Sequence, residues 1–352
     1  MKNKKYLSLY RTIKNKILCT EYTSGQKLPS KRVMADKTGC SVITVEKAYN
    51  MLIDEGYITS EERSGYYVCK LDVFLSPRKT TETAALSYLD ESMSVGQPHD
   101  FEYSSWFKTI RKVISERGEQ LFIKSPNKGC AVLRNAIAGY LLRYRGMIAE
   151  PEQIIIGSGS EQLYGTVVKI LGRDKIYGIE NPSYSQIEAV YLSEGAKIKK
   201  LKMGSDGIET SALKNSNIDV LHVTPFRSYP TGVTTSALKR YEYLKWAMNG
   251  GYIVEDDFNS EFFIPGQPIE SLYTLDNNGS VIYINTFSKS LSPSMRMGYM
   301  ILPESLMSVY DERLGQFTCS VPVLDQYILA EFISNGSFER HLNRMRRKMK
   351  QT

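Results

Sequence analysis

The chain has 352 residues, 42% apolar and 24% charged, with a formal net charge of +7. That length is too great for one small core and that composition is not that of a disordered chain, so two domains of unequal size are the natural expectation. Five scattered cysteines (Cys19, Cys40, Cys69, Cys130, Cys319) lack metal-type spacing, which points to reduced thiols rather than a disulfide framework or a zinc site.

No apolar stretch of signal-peptide type follows the basic start MKNKKYLSLY, and no later run is long enough to span a bilayer, so a cytoplasmic protein without a membrane partner is expected. Residues 1–72 carry 13 Lys and Arg against 8 Asp and Glu. A small basic module of this kind favours a polyanion such as DNA. Leu9, Ile13 and Ile17 recur every fourth residue and predict a first helix. Ser30 can N-cap a short second helix ending near Gly39, and Ser41 can cap a third, with Val45, Ala48, Tyr49 and Leu52 as its buried stripe. After Gly56, YITSEERSGYYV reads as two short strands around a turn.

Three helices followed by a β-hairpin make a winged helix-turn-helix over residues 1–70. In that geometry the third helix enters the major groove of double-stranded DNA, with Ser41, Val42 and Thr44 toward bases. Ser30, Lys31, Arg32 and Arg63 then lie near phosphates. LPSKR, SVITVEKAYNMLIDEGYI and SGYYV together closely resemble the DNA-binding domain of the GntR family of bacterial regulators. The resemblance implies contacts from Arg32, Ser41, Thr44 and the wing at Gly65. The family often has a basic residue after the serine that opens the recognition helix; Val42 stands there in this chain, which alters the expected base preference rather than DNA binding itself.

Residues 71–92 contain Pro77 and a polar stretch and read as a linker, leaving 93–352 as the second domain. There the runs EQIIIG, KIYGIE, VLHV, GYIVE and VIYIN alternate with helix-length segments, the pattern of an α/β domain with a mostly parallel sheet. Ligands collect beyond the carboxyl ends of such strands. At those ends stand Ser158-Gly159-Ser160 opening a helix, Tyr184, the pair Asp256-Asp257, and Thr286 with Lys289 and Arg296. A lysine for a Schiff base, a carboxylate for a ring nitrogen, an aromatic to stack and an anion cradle suit pyridoxal 5′-phosphate.

NPSY, TPFRSYPTG, VEDDFNSEF, INTFSKSLSPSMRMGYM and GSFERHLNRMRRKM resemble the MocR subfamily of GntR regulators, which joins a winged helix to an aminotransferase domain of fold type I. The likeness covers nearly the whole chain. It implies that Lys289 carries the Schiff base, Asp256 faces the pyridine nitrogen and Tyr184 stacks on the ring. Ser160, Thr286 and Arg296 then hold phosphate, with Glu161 beside them in place of a usual glutamine. Phe258 replaces a tyrosine whose hydroxyl would meet the cofactor's 3′-oxygen. Arg227-Ser228 replaces a frequent His-Gln pair. Ile123-Lys124 stands where relatives carry a tyrosine that reaches the neighbouring subunit of a homodimer.

Relatives also continue into a C-terminal subdomain bearing an arginine for a carboxylate, which this chain is expected to lack, leaving the basic helix RHLNRMRRKMK exposed. The expected function is therefore a regulator that senses the cofactor, alone or with an amine or amino-acid effector. An active aminotransferase, and a cofactor-free regulator that uses the domain only to dimerise, are the alternatives.

Overall fold

The computed structural model describes residues 5–19, 21–61, 64–69, 101, 103–258, 260–262 and 270–349. The chain divides into two compact units, residues 1–94 and 95–352. The expected linker over 71–92 and the expected DNA contact Arg63 lie outside the described residues.

In the small unit α1 (Lys5–Leu18) turns Leu9, Ile13 and Ile17 inward. A two-residue strand, β1 (Lys27–Leu28), precedes α2 (Lys31–Thr38), which starts where the Ser30 hydroxyl accepts the Val33 N–H. Gly39 ends α2 because a φ of 65° lets its N–H return to the Ala35 carbonyl. The Ser41 hydroxyl then accepts the Thr44 N–H and opens α3 (Val42–Asp54). Val45, Ala48, Tyr49 and Leu52 are fully buried, and the Tyr49 hydroxyl donates to the Pro29 carbonyl at 2.8 Å, tying α3 to the start of α2. β2 (Ile58–Glu61) and β3 (Gly65–Val68) form the hairpin, and β1 pairs with the free side of β3. That third strand is too short to leave a periodic signal in the sequence.

The large unit begins with α4 (Tyr103–Arg117) and α5 (Ala131–Arg145) and continues through β4 (Ile154–Gly157), α6 (Ser160–Leu171), β5 (Ile176–Asn181), α7 (Ser185–Ser193) and β6 (Lys197–Lys202). Next come α8 (Thr210–Lys214), β7 (Val220–Val223), α9 (Ala237–Ala247), β8 (Tyr252–Asp256), α10 (Leu272–Leu275) and β9 (Val281–Thr286). β10 (Gly298–Ile301), α11 (Glu304–Leu314), α12 (Val323–Ser334) and α13 (Ser337–Met349) complete it. The seven strands form one sheet in the order β4-β10-β9-β8-β7-β5-β6. β10 runs antiparallel to both neighbours, and the other pairings are parallel.

Every residue of β7 and β9 is buried, because helices cover both faces of the sheet. Successive side chains of β9 divide between the two cores: Tyr283 packs with Leu133 and Phe332, whereas Ile282 and Ile284 pack with Leu163 and Ile187. At one edge β6 carries Lys197, Lys199, Lys200 and Lys202, and within it only Leu201 is fully buried. The basic helix α13 differs from the expected exposed segment: Phe338, His341 and Leu342 are buried while Arg347 and Lys348 face outward. Among the described residues no helix is long and apolar enough to cross a membrane.

Leu52 has no exposed surface at the centre of the small unit. Leu52→Ala is expected to destabilise that unit by about 2–4 kcal/mol, read as an earlier denaturant midpoint by circular dichroism.

Candidate functional site

The first turn of α3 stands clear of its core. Ser41 is exposed, Val42 is 42% and Ile43 66% exposed, and Thr44 lies with its hydroxyl 2.8 Å from that of Ser41. Ser30 and Arg32 are also exposed, and Gly65 opens β3. Lys31 is already engaged, its ammonium paired with Glu46 of α3. The turn therefore offers hydroxyls and methyl groups, chemistry that suits the methyl group of thymine in a major groove. Ile43 was not singled out from the sequence, because an apolar residue two places before a buried valine reads as core.

In the large unit the carboxyl ends of β4, β5, β7, β8 and β9 open into a cavity of about 290 Å³. Ser160, Tyr184, Asp256, Thr286 and Lys289 all line it, so five of the seven expected cofactor residues converge there. A wider depression of about 590 Å³, lined by Lys169, Arg173 and Arg313, contains none of these groups.

The adjacent carboxylates at the end of β8 take different partners. Asp256 faces the cavity, where Tyr164 donates its hydroxyl to it and His222 Nε2 lies 3.8 Å away. The other His222 nitrogen is 2.7 Å from the Tyr191 hydroxyl, and Nε2 itself is buried without a hydrogen-bond partner among the described residues. Asp257 is fully buried, held by Arg145 at 3.0 Å and by the Tyr283 hydroxyl at 2.7 Å.

Lys289 stands at the mouth with its ammonium 5.4 Å from the centre of the Phe258 ring and 5.5 Å from that of Phe262. Burial of the amine lowers its pKa, the charge of Arg227 lowers it further, and Glu261 opposes both. Phe258 lines the cavity with a bare ring where a hydroxyl is usual in the resembled family.

Next to Ser160 of the cavity lining, Gly159 precedes α6 with a φ of 106°, and a Cβ there would lie 3.2 Å from Arg296 Nη2. The missing side chain leaves the N-terminus of α6 and a guanidinium side by side, an arrangement suited to a phosphate. Glu161 is ion-paired with Arg296 at 3.3 Å, so this anion site already holds an exposed carboxylate. Apart from Glu161, the groups around the cavity fit pyridoxal 5′-phosphate: a ring-nitrogen partner, a lysine, an aromatic and an anion cradle. Ile123 and Lys124 are exposed.

The loop after β7 forms the remaining wall. The guanidinium carbons of Arg145 and Arg240 lie 5.1 and 4.7 Å from the centre of the Phe226 ring. The Ser228 hydroxyl donates to the buried Glu180 at 2.6 Å. Arg227, between them, has a φ of 113°, a conformation that costs a non-glycine residue about 1–3 kcal/mol. Tyr164, Thr224, Tyr229 and Ser288 line the cavity without having been singled out from the sequence. Tyr164 left one usable signal, its position one turn beyond Ser160 on α6.

Residues 5–68 match the family described as bacterial regulatory proteins, gntR family, and residues 91–352 match aminotransferase class I and II. The uncharacterized HTH-type transcriptional regulator YdeL of Bacillus subtilis is 34% identical, over 97% of this chain and 76% of its own length. The probable rhizopine catabolism regulatory protein MocR of Rhizobium meliloti is 30% identical, over 96% of this chain and 73% of its own. Among solved structures, LysN, an alpha-aminoadipate aminotransferase from Thermus thermophilus complexed with N-(5′-phosphopyridoxyl)-L-leucine, superposes with a TM-score of 0.63 at 28% identity. The superposition covers 71% of this chain and 65% of that one.

Because Glu161 competes for Arg296, Glu161→Gln is expected to tighten phosphate-bearing ligands by roughly twofold to fivefold, measured by titration with pyridoxal 5′-phosphate. Burial and the nearby Asp257 charge raise the carboxyl pKa of Glu255 to about 7 and push that of Glu261 in the same direction. An acid whose pKa is higher folded than unfolded binds more protons in the folded state, so stability falls as pH rises from about 4.5 toward 7. The thermal midpoint of the large unit is thus expected to be lower at pH 7.5 than at pH 5.5. Glu261→Gln keeps an oxygen to accept the Asn285 amide, which the carboxylate accepts at 2.8 Å, and is expected to flatten that slope.

Proposed function

Because the chain belongs to the GntR family of bacterial regulators, in the MocR-type form that joins a helix-turn-helix to an aminotransferase-like domain, we propose that pyridoxal 5′-phosphate, alone or joined to an amine, is the effector that sets its affinity for DNA. The observation that carries this reading is the convergence of Asp256, Tyr184, Thr286 and Lys289 on one cavity whose lining residue Ser160 adjoins the Gly159–Arg296 cradle.

In this reading Lys289 holds the aldehyde carbon, and its lowered pKa increases the neutral, nucleophilic fraction of the amine. Asp256, kept in place by the Tyr164 hydroxyl, would accept a hydrogen bond from the pyridine nitrogen and favour its protonated form. Tyr184 stacks on the ring, while Ser160, Thr286 and Arg296 hold the phosphate and Glu161 weakens that hold. When bound, the cofactor supplies an electron-withdrawing ring and an aldehyde to which amines add. Residues 1–70 form the DNA-binding domain, 71–92 the linker and 93–352 the effector domain. Ser30, Arg32, Ser41, Val42, Thr44 and Gly65 form the DNA face, and a homodimer matches a two-half-site operator.

Two distinct sites on one chain permit a coupling free energy only if the effector binds the two DNA-affinity states unequally. The test is fluorescence anisotropy on DNA taken from upstream of the chain's own gene, with and without pyridoxal 5′-phosphate, for the wild type and Lys289→Ala. The wild type is expected to absorb visible light when loaded and to change its DNA affinity at least fivefold, the lower end of typical couplings. Lys289→Ala should lose both responses while still binding DNA. A wild type that takes up no colour, or whose DNA affinity ignores the cofactor, would overturn the proposal.

A further inference from the structure

We propose that Ile43, with Val42 beside it, reads the methyl group of thymine in the major groove, so that the preferred operator carries a thymine where α3 enters. This rests on the reading of α3 as the recognition helix given above. The placing of the side chain is the first reason. Val45, Ala48, Tyr49 and Leu52 hold α3 on its core and have no exposed surface. Ile43 lies two residues before Val45, and at about 100° per residue its side chain stands on the opposite side of the helix. It shares that exposed side with Lys47 and Asn50, four and seven residues on. Helix side chains lean toward the N-terminus, so Ile43 leans toward the end of α3 that meets base edges in a helix-turn-helix.

The second reason is the chemistry of the turn. The Ser41 hydroxyl accepts the Thr44 N–H at 3.2 Å and lies 2.8 Å from the Thr44 hydroxyl, so these polar groups are bonded to one another. Glu46, three residues beyond Ile43, is paired with Lys31. Val42 and Ile43 stand outside these bonds and outside the core.

One exposed apolar side chain is ordinary, but two adjacent ones in the turn aimed at base edges form a small surface of defined chemistry. Neither can donate or accept a hydrogen bond, so neither can address the acceptors of guanine or the amino groups of adenine and cytosine. The apolar group that a base edge presents in the major groove is the C5 methyl of thymine. Both side chains are β-branched and stiff at χ1, so holding them against that methyl costs little rotamer freedom. The excess of Lys and Arg in residues 1–72, 13 against 8 Asp and Glu, supplies an attraction to phosphates that is independent of sequence. The aliphatic turn adds a part that depends on it.

The experiment uses the full wild-type chain to select duplexes from a random-sequence pool, with and without pyridoxal 5′-phosphate. In the tightest duplex each thymine is then replaced singly by deoxyuridine, which removes the methyl and leaves every hydrogen-bonding group in place. Affinities are read by fluorescence anisotropy for the wild type, Ile43→Ala and Ile43→Val. At least one replacement is expected to weaken the wild type about threefold or more, as the loss of one buried methyl implies. Ile43→Ala should bind the thymine duplex more weakly by a similar factor and bind the thymine and deoxyuridine duplexes alike. Ile43→Val, which keeps two methyl groups, should fall in between. A wild type indifferent to every replacement, or an Ile43→Ala chain that keeps the full penalty, would overturn the role of Ile43. A wild type that enriches no duplex instead overturns the reading of α3 beneath it.

Discussion

The buried carboxylate of Asp257 has to be neutralised, and the way this is done fixes two walls of the cavity at once. Arg145, at the end of α5, donates to Asp257 and to the Ser260 hydroxyl, and Tyr283 of β9 donates to the same carboxylate. Removing one partner from a buried ion pair leaves an uncompensated charge and costs several kcal/mol, roughly 3–5, so α5, β8 and β9 are bound to one arrangement. The same guanidinium lies over the Phe226 ring, which it shares with Arg240. Thus the end of β8, which turns Asp256 toward the cavity, and the loop after β7, which supplies Tyr229, are both positioned through Arg145.

The anion end is built on a weaker interaction. Both partners of the Glu161–Arg296 pair are about half exposed, and a pair of that kind contributes roughly 0–1 kcal/mol. An incoming phosphate therefore exchanges one anion for another, and displacing Glu161 offsets part of what the phosphate gains. That arrangement lowers affinity without removing the site, which suits a ligand that is sensed at changing concentration more than one held permanently.

Much of this was legible in the sequence where local chemistry and pattern agreed. Ser30 and Ser41 marked helix starts because a hydroxyl there answers an otherwise unpaired N–H, and Gly39 marked a stop because only a positive φ closes that helix end. The strand ends stood out because β-branched runs were followed by polar residues. β6 was not legible, since KIKKLK has too few apolar residues to read as a strand, and β10, GYMI, is four residues long. The importance of Arg145 was hidden for another reason: it is defined by a carboxylate more than a hundred positions away. That pairing leaves no trace in residue type or spacing. Asp256 and Asp257 are likewise separated only by the direction in which successive side chains point.

The lysines of β6 bear on how copies of the chain can meet. An outermost strand presents unpaired backbone groups to any second strand of the same kind. Two copies approaching along β6 would set Lys197, Lys199, Lys200 and Lys202 of one against the same four ammonium groups of the other. Lys200 and Lys202 have Glu188 and Glu209 as counter-ions within their own chain, which restrains these two side chains rather than freeing them to make room. Continuation of the sheet from one molecule into the next is thereby discouraged, and self-association is steered to other faces of the large unit.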